Sequence, residues 1–169
     1  MILLAVGFQK SQMSGNKMKV LTHSHRSGGD IVPSCLIDDI SSAFKQIDST
    51  VSRYEISDIR ARIIEDLLSK GWSDKLMLAR GSNICITSKK SDVGMCMQTG
   101  NVSRMYADLM KLQALYLRES IKAGILIVAT TQCAKQYTSN AATFERLIRE
   151  LDIFGQVITV PLVVIGFYF

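Results

Sequence analysis

The sequence predicts an α/β domain with a mixed central sheet flanked by helices, and three observations carry that prediction. Three short apolar runs crowd into residues 82–130: Asn83-Ile84-Cys85-Ile86-Thr87, Val93-Gly94-Met95-Cys96-Met97-Gln98 and Gly124-Ile125-Leu126-Ile127-Val128-Ala129. The first two are joined by polar Ser88-Lys89-Lys90-Ser91-Asp92, a loop of hairpin length. Between the second and third, residues 103–120 place Tyr106, Leu109, Met110, Gln113, Tyr116 and Leu117 on one face at helical spacing. Hairpin, crossover helix and parallel strand follow, and the crossover favours right-handed geometry. Gln98-Thr99-Gly100-Asn101 then occupies the sheet edge at which sites tend to lie.

At 169 residues and 47% hydrophobic content, the chain supports one well-buried core and is short for two. A single domain over residues 1–169 is therefore expected, with residues 1–16 as a flexible N-terminal extension. The balance of 20 Lys+Arg against 15 Asp+Glu gives +5, which permits an acidic partner such as DNA without demanding one. Cys35, Cys85, Cys96 and Cys133 lack C-x-x-C spacing, so buried free thiols in a reducing compartment are expected rather than disulfides. No segment reaches the ~20 apolar residues of a membrane span. Residues 1–8 are apolar but lack the basic flank of a signal peptide, which makes the cytoplasm the expected location.

In chain order, the strand-like opening gives way to polar residues 9–16, and Lys17-Met18-Lys19-Val20-Leu21 reads as a short strand. Residues 22–30 read as a turn containing Gly28-Gly29; its His23-x-His25 pair has metal-ligand chemistry but no further ligands at useful spacing. Ser34 is placed as the N-cap of a helix bearing Ile37, Ile40, Phe44 and Ile47. After a polar break over 48–55, Ser57 or Asp58 is expected to cap a helix carrying Ile59, Ile63, Ile64, Leu67 and Leu68, with Lys70-Gly71 ending it. Residues 75–79 read as a strand leading into the hairpin. Beyond a polar loop over 131–139, Asn140 opens a helix with Phe144, Leu147, Ile148 and Leu151 that Gly155 ends. The apolar run 157–167 reads as a closing strand covered on both faces, beginning or bulging at Pro161.

Helix, three strands in meander, helix, strand, helix, strand is the αβββαβ core order of the restriction-endonuclease-like fold, and particular residues resemble a family. Ser24-His25 is similar to a tyrosine-serine-histidine segment of the BglII/BstYI-type restriction endonucleases, which share the PD-(D/E)xK nuclease-like fold. Lys70-Gly71-Trp72 resembles their helix-ending glycine-tryptophan. Met95-Cys96-Met97-Gln98-Thr99-Gly100-Asn101 resembles their isoleucine-glutamate-valine-glutamine-phenylalanine-glycine/serine-asparagine signature, and Tyr106-Ala107-Asp108-Leu109-Met110-Lys111 the helix after it. Val160-Pro161-Leu162-Val163-Val164-Ile165-Gly166 looks like their closing strand. The resemblance spans roughly residues 17–169.

The resemblance implies a magnesium-dependent nuclease site, in which carboxylates hold a hard cation that activates water. The family needs an aspartate, then a glutamate, one spacer and a glutamine; strand alternation turns the last two to the same side. Gln98 matches the glutamine, but Cys96 stands at the glutamate and Thr87, nine residues earlier, at the aspartate. Neither supplies an anionic oxygen. Asp92 from the hairpin loop, or Glu65 or Asp66 from the preceding helix, would be the rescuing metal ligands of an active enzyme. Cys96 as a nucleophile would need a neighbouring base or cation, with His25 the one histidine to supply it through space.

The degenerate site favours a catalytically inactive relative with no cofactor, magnesium entering only for an active nuclease. Such a relative would hold DNA through Lys89, Lys90, Arg104, Lys111 and Arg118, whose phosphate contacts give affinity without sequence reading. The other readings are a protein-binding module, such as an inhibitor or accessory factor of a plasmid, phage or other mobile element, and an active endonuclease with a rearranged metal site. A homodimer is compatible with each.

Overall fold

The computed structural model describes residues 17–47 and 56–169. The expectations for residues 1–16 and for the break after the first long helix lie outside those residues. Five strands form the central sheet in the spatial order β1 (Lys19–His25), β7 (Leu162–Tyr168), β6 (Ala123–Ala129), β5 (Val93–Met97), β4 (Ser88–Lys90). The inner pairs β5/β6 and β6/β7 are parallel; the outer pairs β1/β7 and β4/β5 are antiparallel. This is the mixed α/β sheet that the sequence predicts.

Alternation along the strands sorts their side chains between two cores. Val93, Met95 and Met97 of β5, Ile125 and Ile127 of β6, and Val163, Ile165 and Phe167 of β7 pack on one face against α2 (Ser34–Lys45) and α3 (Ile56–Ser69). Cys96, Leu126, Val128, Leu162 and Val164 point the other way, onto α4 (Val102–Leu117) and α6 (Phe144–Ile153). With both faces covered, the parallel strands are apolar throughout, which is why they read as continuous runs rather than alternating ones.

The hairpin, crossover and parallel strand appear as expected, with differences in detail. Ser88, Lys89 and Lys90 are strand β4, not loop; the turn is Ser91-Asp92, with Ser91 at φ 51 as a primed two-residue turn requires. The strand over 75–79 shrinks to β2 (Leu76–Met77), which pairs with β3 (Cys85–Ile86) in a separate two-stranded sheet, so the meander does not lie in one sheet. Residues 22–25 continue β1 instead of turning, because each pairs with β7 through His25 opposite Leu162. A one-turn α1 (Gly28–Ile31) follows.

Helix boundaries also shift. Pro33, not Ser34, is the N-cap of α2, and Ser57 and Asp58 lie inside the first turn of α3. The C-terminal stop of α3 is as predicted: Gly71 at φ +84 turns the chain, Trp72 N–H donates to Leu67 O at 3.1 Å and Gly71 N–H to Leu68 O at 3.1 Å. A short α5 (Thr131–Ala134) interrupts the loop after β6, and α6 begins at Phe144 rather than Asn140. On α4 the buried face is rotated from the predicted one. Met105, Leu109 and Leu112 are buried, while Met110 and Leu117 are exposed, because the sheet is met by the stripe running through Met105.

Among the described residues no helix is long and apolar enough to cross a membrane.

Candidate functional site

At the C-terminal end of β5 the chain leaves the sheet between the two helical layers, and a cavity of about 520 Å³ opens there. Arg60 of α3 reaches it from one layer, Arg104 and Lys111 of α4 from the other, and Lys75 from the segment before β2. Thr87, Gln98 and Asp108 complete its polar lining. Among the described residues, four cations thus share the lining with one carboxylate.

Gln98 sits one residue past β5, with its backbone N–H on Ile127 O at 2.8 Å. Its side chain is locked at both ends: Nε2 donates to Asp108 Oδ2 at 2.8 Å, and Oε1 accepts from Gly100 N–H at 2.7 Å. The other carboxylate oxygen of Asp108 takes Lys111 Nζ at 2.7 Å. Burial works against the Lys111 charge, but the hydrogen bond and negative charge of Asp108 outweigh it and hold the ammonium above its ordinary range. Asn101 caps α4, its side chain accepting from Arg104 N–H at 3.1 Å, and so fixes where Arg104 leaves the helix.

Thr87 Oγ1 accepts from Met97 N–H at 3.0 Å and lies 3.4 Å from an Arg60 guanidinium nitrogen. A guanidinium therefore stands against the residue at the expected aspartate position. Cys96 lies behind the cavity wall at 1% exposure. Burial first, then the charge of Asp108, push its thiol far above the ordinary cysteine range. This opposes the nucleophile reading, since only a thiolate attacks. His25 offers no base there, because it ends β1, which β7 and β6 separate from β5, and its Nε2 meets Ile158 O at 2.9 Å.

Of the other predicted site residues, Gln98, Arg104 and Lys111 line the cavity and the rest do not. Asp92 occupies the turn at the opposite end of β5, where its carboxylate pairs with Lys122 at 2.9 Å. The hydrogen bond and charge of Lys122 hold the Asp92 carboxyl below its usual range. The five residues of β5 lie between it and Gln98, a separation of about 20 Å. Glu65 and Asp66 line a different cleft on α3 with Gln46 and Arg62, and Asp66 is paired with Lys70 at 2.6 Å. The ammonium of Lys90 is drawn inward, 2.8 Å from Asp39 Oδ2 and 2.7 Å from Lys70 O. Lys89 lies on the edge strand, with its backbone tied to Ser73. Arg118 donates to Leu78 O at 3.0 Å, beside an apolar cleft.

Arg60, Lys75 and Asp108 are site residues that the sequence reading did not assign. Asp108 carries a legible signal, an acid three residues before Lys111 on an otherwise apolar helical stripe. Arg60 carries none, because only the packing of α3 on the sheet end brings it to Thr87.

A hard divalent cation takes several oxygen ligands, charged ones for preference. The cavity offers a hydroxyl, an amide already bonded at both ends and a carboxylate whose oxygens are both engaged, under four positive charges. That donor set does not fit magnesium. Among the described residues no group of three or more His, Cys, Asp or Glu side chains converges to hold a metal elsewhere.

The family described as restriction endonuclease BglII/BglIII matches residues 20–167. Among solved structures, restriction endonuclease BglII complexed with a DNA 16-mer is similar in fold, with TM-score 0.76 and 13% identity over 88% of this chain and 75% of that one. Free BglII gives TM-score 0.67 and 15% identity over 88% of this chain and 78% of that one. No curated protein sequence matches.

Proposed function

The chain belongs to the BglII/BglIII restriction endonuclease family, and from that premise we propose that it is a non-cleaving member that binds duplex DNA through the cavity at the end of β5. The observation that carries this reading is the Arg60 guanidinium beside Thr87, which gives the cavity positive charge at the position where the family resemblance calls for an acid. Phosphate oxygens are the natural complement of such a lining, and arginine presents its donors in a fork that matches them. A related fold, BglII, is known in complex with a DNA 16-mer. Affinity of this kind is sequence-independent and weakens with salt as counterions are displaced.

The test is one gel of supercoiled plasmid incubated with purified protein and magnesium or manganese. Band retardation that fades with added salt, without nicking, is the expected result. Metal-dependent cleavage would overturn the non-cleaving reading in favour of an active endonuclease with a rearranged metal site.

A second reading, docking with a protein partner, has its own support. Met110, 56% exposed on the outer face of α4, lies between two apolar clefts, one with Leu78 and Ile84 and the other with Phe154 and Val157. Such a strip suits a second copy of the chain or another protein. Sedimentation as a monomer at high protein concentration, with no retardation of DNA, would move the search to a heterologous partner.

A further inference from the structure

We propose that Arg60 takes the place of a metal ion in this cavity, so that one backbone phosphate of the bound duplex is held by guanidinium and ammonium groups and the binding is independent of divalent cations. The inference rests on the DNA-binding reading above and deepens it to a named phosphate site. A metal in a nuclease site neutralises phosphate charge and fixes its oxygens. Here the same two tasks fall to side chains that come from different layers of the fold.

Arg60 arrives from α3 on one side of the sheet and Arg104 and Lys111 from α4 on the other, with Lys75 also in the lining. Among the described residues, Arg60 is bonded to no carboxylate. Among those residues its hydrogen bond to Thr87 Oγ1, at 3.4 Å, is long and leaves most of its five donors unspent. Arg104 likewise has no side-chain partner among the described residues, because Asn101 engages its backbone rather than its guanidinium. Lys111 is different: its ammonium is shared with Asp108, which orients it along the cavity wall. The one acid of the lining is thus spent on fixing a lysine and a glutamine and does not cancel the two arginines. A tetrahedral oxyanion carrying a single negative charge, flanked by sugar, fits a cavity open to solvent on one side.

The experiment is fluorescence anisotropy of a short labelled duplex with the full chain, titrated in EDTA and again in calcium at several salt concentrations. Equal affinity in the two media is expected. Arg60→Ala is expected to weaken binding about tenfold, the loss of one charge-assisted contact, and to reduce the slope of log affinity against log salt by about one. Arg60→Gln, which keeps most of the stem, should weaken binding similarly and serves if Arg60→Ala fails to fold. Arg62→Ala, on the same helix but lining the other cleft, should leave both affinity and slope unchanged. Failure of the wild-type chain to bind at low salt would overturn the DNA-binding reading itself. Wild-type binding that needs calcium, or that both Arg60 variants leave unchanged in affinity and slope, would overturn the Arg60 inference alone.

Discussion

Gln98 Nε2 lies 2.8 Å from Asp108 Oδ2, a bond that ties the end of β5 to the second turn of α4 across the floor of the cavity. Both partners are buried, Gln98 at 8% and Asp108 at 6% exposure. The pair stands or falls with Lys111, which supplies the counter-charge to the same carboxylate.

Lys111→Ala leaves that carboxylate with the amide alone. Breaking a fully buried pair costs about 3–5 kcal/mol, and the partial exposure of Lys111 reduces this to about 1–3 kcal/mol. Urea unfolding followed by circular dichroism should give a lower midpoint with an unchanged slope. Gln98→Glu should lower the midpoint at pH 7 as well, because it sets two carboxylates at hydrogen-bond distance in place of an amide donor and its acceptor.

Asp39 joins α2 to the end of α3 and to β4: its Oδ2 accepts from Trp72 Nε1 at 3.0 Å and from Lys90 Nζ at 2.8 Å. Burial pushes its carboxyl up, but those hydrogen bonds and the charges of Lys90 and Lys70 outweigh burial and hold it below the ordinary range. A carboxyl depressed in the folded state stabilises the fold above its unfolded value, about 3.9, and that stabilisation is lost as the pH falls through the folded value. Asp39→Asn should therefore be less stable than wild type at pH 7, with the two urea midpoints converging as the pH is lowered below about 4.

Thiol reactivity should divide the cysteines by burial. Cys35 is exposed and should alkylate rapidly in the native protein. Burial pushes the Cys133 thiol up to about 12 and that of Cys96 higher still, so both should stay unmodified until urea opens the cores. Mass spectrometry of iodoacetamide-treated protein reads the order directly, and rapid native labelling of Cys96 would contradict the buried placement.

Gly28 opens α1 against the first residue of β7. A Cβ there would come within 2.1 Å of the Leu162 carbonyl oxygen, which is backbone and cannot swing aside. Gly28→Ala should destabilise by at least the ~1–3 kcal/mol of ordinary overpacking, read as a lowered thermal midpoint or loss of soluble protein.

Asp92→Ala should change neither DNA affinity nor the urea midpoint. Its ion pair with Lys122 is solvent-exposed, 77% and 58%, and belongs to a turn at the far end of β5 from the cavity. An effect on DNA retardation would mean that the bound duplex extends along the sheet to that turn.

By itself the sequence determined the apolar strands, the crossover helix between β5 and β6, the glycine stop after α3 and the alternation that turns Cys96 to the same side as Gln98. Each is a local matter of period or of one residue's backbone freedom, so each can be read from neighbours in the chain. Tertiary structure alone decided which charges matter. Lys90 looked like a free cation of a loop and is pulled into the Asp39 network. Asp92 looked close to Gln98 in the chain and is held away from it by an extended strand, while Arg60, 27 residues before Thr87, comes within 3.4 Å of it. Charge pairing depends on distance through space, and the stacking of helices on the two faces of a sheet sets those distances without leaving a period in the sequence.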